Sequence, residues 1–150
     1  SAYLALDEDA RAILAGGIGL GSISGGAVHE IPANWRFFAG GGGSVRGYEY
    51  RTIGPRDALG RLIGGRSLFE ASLEMRFRLT ETIGIVPFVD AGAAFSSATP
   101  AFDERLRFGA GIGLRYHTAI GPIRIDIATP LERRRGEQPV AVYISLGQAF

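Results

Sequence analysis

Cysteine is absent from the sequence. That excludes a disulfide framework and a thiolate metal site. An excess of one charge is also missing: 16 Lys+Arg stand against 15 Asp+Glu, for a net charge of +1. Nucleic-acid binders carry clustered surplus basic charge, so this balance gives no nucleic-acid footprint. Long hydrophobic runs are lacking too. The longest stretch without a charged side chain runs from Ala12 to His29 and contains six glycines. It is too short and too glycine-rich for a bilayer-spanning helix. The first residue is not Met, and no basic-then-apolar signal sequence opens the chain, as expected of a mature or excised piece of something longer. No helical period runs over any useful length.

What is abundant is glycine, at 23 residues, and a strict alternation of two, which is the period of a strand. In Arg105–His117 the even positions Leu106, Phe108, Ala110, Ile112, Leu114 and Tyr116 are apolar. The odd positions are glycine or charged. Leu68–Leu79 splits the same way: Glu70, Ser72, Glu74, Arg76 and Arg78 oppose Phe69, Leu73, Met75 and Phe77. In Ile123–Thr129 three isoleucines oppose Arg124 and Asp126. In Val140–Phe150 the residues Val142, Ile144, Leu146 and Phe150 share a face against Tyr143 and Ser145. Ile83–Phe95 is apolar on both faces apart from Asp90. Arg11–Ser22 alternates weakly, and Ser1–Leu6 reads as part of a further strand.

The pattern predicts an all-β chain of six strands plus a partial one. Short connections at 7–10, 80–82 and 118–122 alternate with longer ones at 23–67, 96–104 and 130–139. Short turns at one end and long loops at the other, with strands of about ten residues, fit an antiparallel transmembrane β-barrel segment. Apolar residues would then face lipid, and Arg105, Arg107, Arg115, Glu74, Arg76, Arg124 and Asp126 the lumen. A soluble antiparallel sandwich also alternates, with one face in a core, and is the competing architecture.

The run GGGGSVRGYEY, Gly40–Tyr50, is not a nucleotide loop. A phosphate-binding loop ends in Gly-Lys-Ser/Thr and opens a helix, whereas Gly43 precedes Ser-Val-Arg. GAGIG at Gly109–Gly113 lies inside a strand, where its glycines leave room for something packed on the inner wall. Catalytic signatures are missing: no G-x-S-x-G, no H-E-x-x-H, and only the scattered His29 and His117. The reading is of a protein that is not an enzyme and holds no cofactor or metal. Arg46, Glu74 and Asp90 are three solvated charges in a wet lumen, or a set brought together by an inward fold of the long loop.

Several motifs in order carry a family resemblance. RFFAGGGGSVRGYEYRTIGP at Arg36–Pro55 resembles the signature of the BamA/TamA superfamily of outer-membrane assembly proteins, with Val45, Arg46, Gly47 and Tyr48 as its core. ASLEMRF (Ala71–Phe77), PFVDAG (Pro87–Gly92), GAGIGLRYHTAIGPIRIDIATPL (Gly109–Leu131) and YISLGQAF (Tyr143–Phe150) agree with it. SVRGY and GPIRIDIATPL are more similar to TamA than to BamA. The resemblance implies the C-terminal portion of a barrel of roughly sixteen strands, spanning residues 1–150, in the outer membrane of a Gram-negative bacterium. The family's periplasmic POTRA domains are not in this sequence. It implies a long loop, about 23–67, folded into the lumen, with Arg46 against Glu74 and Asp90. The C-terminal strand, through Val142, Ile144, Leu146 and the terminal aromatic Phe150, resembles an assembly signal. Implied partners are nascent outer-membrane barrel proteins, the lipid bilayer and a periplasm-spanning TamB-like protein. The implied function is insertion or translocation of autotransporters and other barrels. Two alternatives stand beside it: a two-partner secretion pore, which shares the V-R-G-Y motif, and a soluble all-β binding module.

Overall fold

The computed structural model describes residues 1–102 and 105–147. Seven strands form one antiparallel sheet in chain order: β1 Ala2–Ala5, β2 Ala12–Ser22, β3 Ser67–Arg78, β4 Ile83–Phe95, β5 Arg107–Thr118, β6 Gly121–Pro130 and β7 Ala141–Leu146. Each strand pairs antiparallel with the next, across short turns and long connections alike. A single 3₁₀ turn at Val28–Glu30 is the one helical element among the described residues.

The expected elements are all present, with shifted ends. Arg105 and Leu106 precede β5 rather than opening it, and Arg105 pairs with Glu132 at 2.7 Å on the exposed rim instead of facing inward. β6 is longer than its alternation suggests, because Gly121 at φ +122° allows a two-residue turn at Ala119 and Ile120. β7 stops at Leu146, and Gly147 turns away at φ +99°. Phe150 lies outside the described residues. The β3–β4 ladder skips the positions opposite Pro87 and Val86. Proline has no N–H to donate, so a ladder is interrupted where it sits.

One face of this sheet buries its charges. Glu74, Asp90, Arg107, Arg115, Arg124 and Asp126 are all buried. The other face exposes its aliphatics: Ile112 is 52% exposed and Ile144 74%. A sheet in water does the reverse, since a large exposed apolar face is costly. The inversion removes the soluble-module alternative and matches a sheet with lipid on one side. Among the described residues no helix is long and apolar enough to cross a membrane.

The connection 23–66 lies against the charged face. It is held by isolated bridges, Phe37 to Gly65, Ala39 to Ile53 and Arg56 to Leu62, and by a small apolar cluster of Ala39, Val45, Tyr48 and Ile53. This explains why β4 is apolar on both faces. Val86 and Phe88 point inward, and Phe88 lies beneath the docked loop.

The facing assignment has a direct test. Ile112→Arg near the middle of the lipid-facing band should lower folding stability by about 2–4 kcal/mol, read from urea titration of the full-length protein in lipid vesicles. A loss below about 1 kcal/mol would place Ile112 away from lipid.

Candidate functional site

The site is the place where the long loop meets the inner wall, and its centre is Arg46. Gly40 and Gly41 adopt φ +106° and +109°, a region side chains rarely enter, and let the chain turn inward. A side chain on Gly42 would strike the Tyr143 ring. Gly43 is different: it has no positive φ and open space around it, so nothing local demands glycine there. Gly47, at φ +102°, lets the backbone pass against β6, where an added Cβ would come within 2.8 Å of the Thr129 carbonyl carbon.

Arg46 is 2% exposed, and all five of its guanidinium N–H groups have partners. Nε and Nη2 fork onto the Asp90 carboxylate at 2.6 and 2.8 Å. Nη1 donates to Glu74 at 2.9 Å and to Asp126 at 3.4 Å. Nη2 also donates to Ser72 Oγ at 3.2 Å. The backbone N–H of Arg46 adds a bond to Asp90 at 3.1 Å. The guanidinium carbon lies 3.4 Å from the Phe88 ring centroid, a cation–π contact. Burial lowers the pKa of this group, but the Asp90 hydrogen bond and the charges of Asp90, Glu74 and Asp126 outweigh it and hold the pKa above the usual arginine value.

The carboxylates are satisfied in turn. The second Glu74 oxygen takes Arg76 at 2.9 Å. Asp126 takes Arg115 at 2.5 Å and Arg124 at 2.8 Å. Ser72 donates to Asp90 at 2.6 Å. Four arginines therefore share three carboxylates on the buried face. Buried ions cost several kcal/mol each unless paired and hydrogen-bonded, and here every carboxylate oxygen has a donor.

The other motif residues fit the wall by shape. Val45, fully buried, occupies the space left by Gly92. Tyr48 donates from its hydroxyl to the Phe108 carbonyl at 2.9 Å, and Arg107 lies over its ring at 5.1 Å. Gly109 sits beneath the Arg46 carbonyl, where any side chain would collide with it. The glycines of β5 thus make room as expected, though by different means. Gly111 faces the Phe88 ring and the β6 backbone, and Gly113 faces the Arg115–Asp126 pair.

The structure brings Glu74 and Asp90 together at Arg46. Alternation places Asp126 on the inner face but not at Arg46, and it does not mark Arg76, Arg115 and Arg124 as members of the network. The available signal is the i, i+2 spacing in Glu74–Arg76 and Arg124–Asp126, which sets opposite charges side by side on one face. Alternation puts Tyr143 on the polar face but assigns it no role. Its hydroxyl accepts from Gly47 N–H at 3.0 Å and donates to the Tyr48 carbonyl at 2.9 Å, stapling the loop to β7. Val142, Ile144 and Leu146 flank it on the opposite, exposed face and take no part in the site.

The chain matches the Omp85 superfamily domain over residues 1–150. It is 37% identical over 141 residues to the outer membrane protein assembly factor BamA of Nitratidesulfovibrio vulgaris, covering 87% of this chain and 18% of that protein. It is 28% identical to BamA of Neisseria meningitidis serogroup B, covering 99% and 23%. The crystal structure of BamA from Haemophilus ducreyi lacking POTRA domains 1-3 superposes with a TM-score of 0.68 at 25% identity, covering 96% of this chain and 32% of that one. A seven-stranded, lipid-facing sheet with an inward loop anchored by a buried arginine is thus a piece of an outer-membrane β-barrel. The chain belongs to the Omp85 superfamily. It spans about a fifth of the length of these curated relatives.

Two substitutions separate the roles of the site. Arg46→Lys keeps the charge but offers three donors on a compact head and no planar fork. It should free the loop, seen as faster amide hydrogen exchange across 40–48, while strand content by circular dichroism stays unchanged. Retained protection would mean that charge alone docks the loop. Tyr143→Phe removes the hydroxyl and leaves Gly47 N–H unpaired at a buried point, at a cost of about 1–3 kcal/mol. The same exchange experiment should show faster exchange at Gly47 and Tyr48; unaltered exchange there would remove the staple.

Proposed function

We propose that this chain is the C-terminal portion of the barrel of an outer-membrane protein assembly factor, and that the whole protein inserts nascent barrel proteins into the lipid bilayer. The observation that carries this is the engagement of Arg46 by carboxylates from three separate strands, in a chain whose relatives include two BamA proteins. Docked in this way, the loop fills the inner face and leaves the strand edges as the surfaces for work. Unpaired backbone groups are costly in lipid, so an exposed edge templates an incoming strand by hydrogen bonding. No covalent step is needed, and the protein works as an insertase rather than an enzyme.

The finer reading is a TamA-like factor that aids autotransporters, with a periplasm-spanning TamB-like partner. Its support is the pair of segments SVRGY and GPIRIDIATPL; the BamA relatives support the assembly class without choosing within it. The docked loop also speaks against a passive pore, since it occupies the face that would line a channel.

The deciding experiment places the full-length protein in lipid vesicles with urea-unfolded client barrels. Folding of several unrelated clients should be accelerated over empty vesicles, and Arg46→Lys should remove most of the acceleration. Export of one dedicated client, with steady ion conductance and no acceleration of the others, would instead establish a two-partner secretion pore.

A further inference from the structure

The long-loop end of this domain carries a charge pattern that assembly does not explain. Besides Arg46, which the site holds, ten arginines lie in the long connections or at their margins: 36, 51, 56, 61, 66, 105, 107, 133, 134 and 135. Seven carboxylates accompany them, so this set is net +3. The short-turn end has Arg11 and Arg78 against Asp7, Glu8, Asp9 and Glu81 and is net −2. The β6–β7 connection, itself net +1, holds three consecutive arginines, Arg133, Arg134 and Arg135, all exposed.

The carboxylates of that connection are already engaged. Glu132 pairs with Arg105 at 2.7 Å. Glu137 takes Arg107 at 2.9 Å and the Arg134 backbone N–H at 2.6 Å. Among the described residues, no carboxylate pairs with the guanidinium groups of Arg133, Arg134 or Arg135. Partial burial lowers the pKa of Arg134, and the charges of Arg107 and Arg56 lower it further, against a smaller opposing effect of the Glu137 charge. Among the described residues, these three consecutive arginines thus present exposed positive charge without a paired carboxylate.

The cluster's height in the fold decides what the counter-ion is. The exposed face of β6 runs Ile123, Ile125, Ile127 and on to Leu131, and that of β7 runs from Val140 through Val142 to Leu146. Ile127 lies opposite Val142 and Ile125 opposite Ile144, so the two strands present one apolar wall. From Ile120 to Leu131, eleven residues at about 3.4 Å each and a tilt near 40° give a band roughly 28 Å tall, the thickness of a barrel's lipid-facing belt. Arg133 is two residues past Leu131 and therefore at most about 7 Å above the band. That is headgroup level, with acyl-chain surface directly beneath. An acidic peptide or a nucleic acid would need the charge but not the adjoining wall.

We propose that Arg133, Arg134 and Arg135 bind the phosphate groups of an anionic lipid headgroup in the leaflet at the long-loop end, with its acyl chains lying along the β6–β7 wall. Guanidinium suits this role because its planar fork meets phosphate oxygens in pairs. The contact would fix lipid beside the last described strand pair, where the ladder has only six residue pairs.

The test uses the full-length protein in detergent micelles and a fluorescent diphosphorylated glycolipid. A chemically dephosphorylated glycolipid and inorganic phosphate are the other two probes. Each arginine near an anionic surface contributes enough that the combined Arg133→Ala, Arg134→Ala, Arg135→Ala variant should bind the diphosphorylated probe roughly 100-fold more weakly. The matching triple lysine variant should stay within about tenfold, because the charge remains. Dephosphorylation of the lipid should weaken binding to the native protein as much as the alanine changes do. Binding by the alanine variant within about threefold of native would overturn the proposal, as would equal binding of the dephosphorylated lipid. Displacement of the glycolipid by an equal concentration of inorganic phosphate would overturn the lipid assignment. If the alanine variant fails to show heat-modifiable gel migration, the native protein decides alone. Added salt must then release the diphosphorylated probe and spare the dephosphorylated one; no such difference rejects the site.

Discussion

The arrangement depends on one buried cation. A guanidinium at 2% exposure would be untenable without compensation, and the three carboxylates around it would repel one another without a cation between them. Arg46 and the carboxylates therefore require each other, and they come from four different parts of the chain: the long loop, β3, β4 and β6. The loop has little regular structure of its own, only isolated bridges and one 3₁₀ turn. Its position is set chiefly by what Arg46 reaches.

Electrostatics alone would leave that position loose, because a long side chain can satisfy a carboxylate from many directions. Shape removes the freedom. Gly109 admits the Arg46 carbonyl, Gly92 admits Val45, and Gly47 brings the loop backbone against Thr129. Phe88 supplies a flat surface for the guanidinium group. All sixteen basic residues of the chain are arginine. At the network this has a direct use, since five donors in a fixed fork can serve three carboxylates and a hydroxyl where an ammonium cannot.

Much of this is legible in the sequence, and the limit has a physical form. Period-two alternation identifies faces, so Glu74, Asp90 and Asp126 all read as inward from their spacing alone. Alternation carries no information on strand register, and register decides which inward residues meet. Asp126 thus goes unassigned to Arg46 even though its facing is correct. Tyr143 escapes for a related reason: an aromatic on the polar side of a strand reads as a lumen or rim residue until the loop backbone it grips is visible. The glycine run marks a further limit. Within a run of four glycines the pattern cannot say which two sit at positive φ. The strand ends shift where a local device overrides the period, as at Gly121 and Gly147.

Tyr143 also links the loop to the mechanics of the sheet. β2 and β3 share eleven residue pairs, while β6 and β7 share six. Strand pairing in a sheet is cumulative, so β7 is held less firmly than β2 by backbone bonds alone. Its further ties are to the loop: the Tyr143 hydroxyl bonded at Gly47 and Tyr48, with its ring against Gly42. Those three residues flank or lie beside Arg46, which is in turn fixed to β3, β4 and β6. Docking the loop therefore adds to the attachment of the last described strand, through a path that bypasses the β6–β7 ladder. The staple works through the Tyr143 side chain on the inner face, so this second hold uses none of the backbone hydrogen-bonding groups of β7.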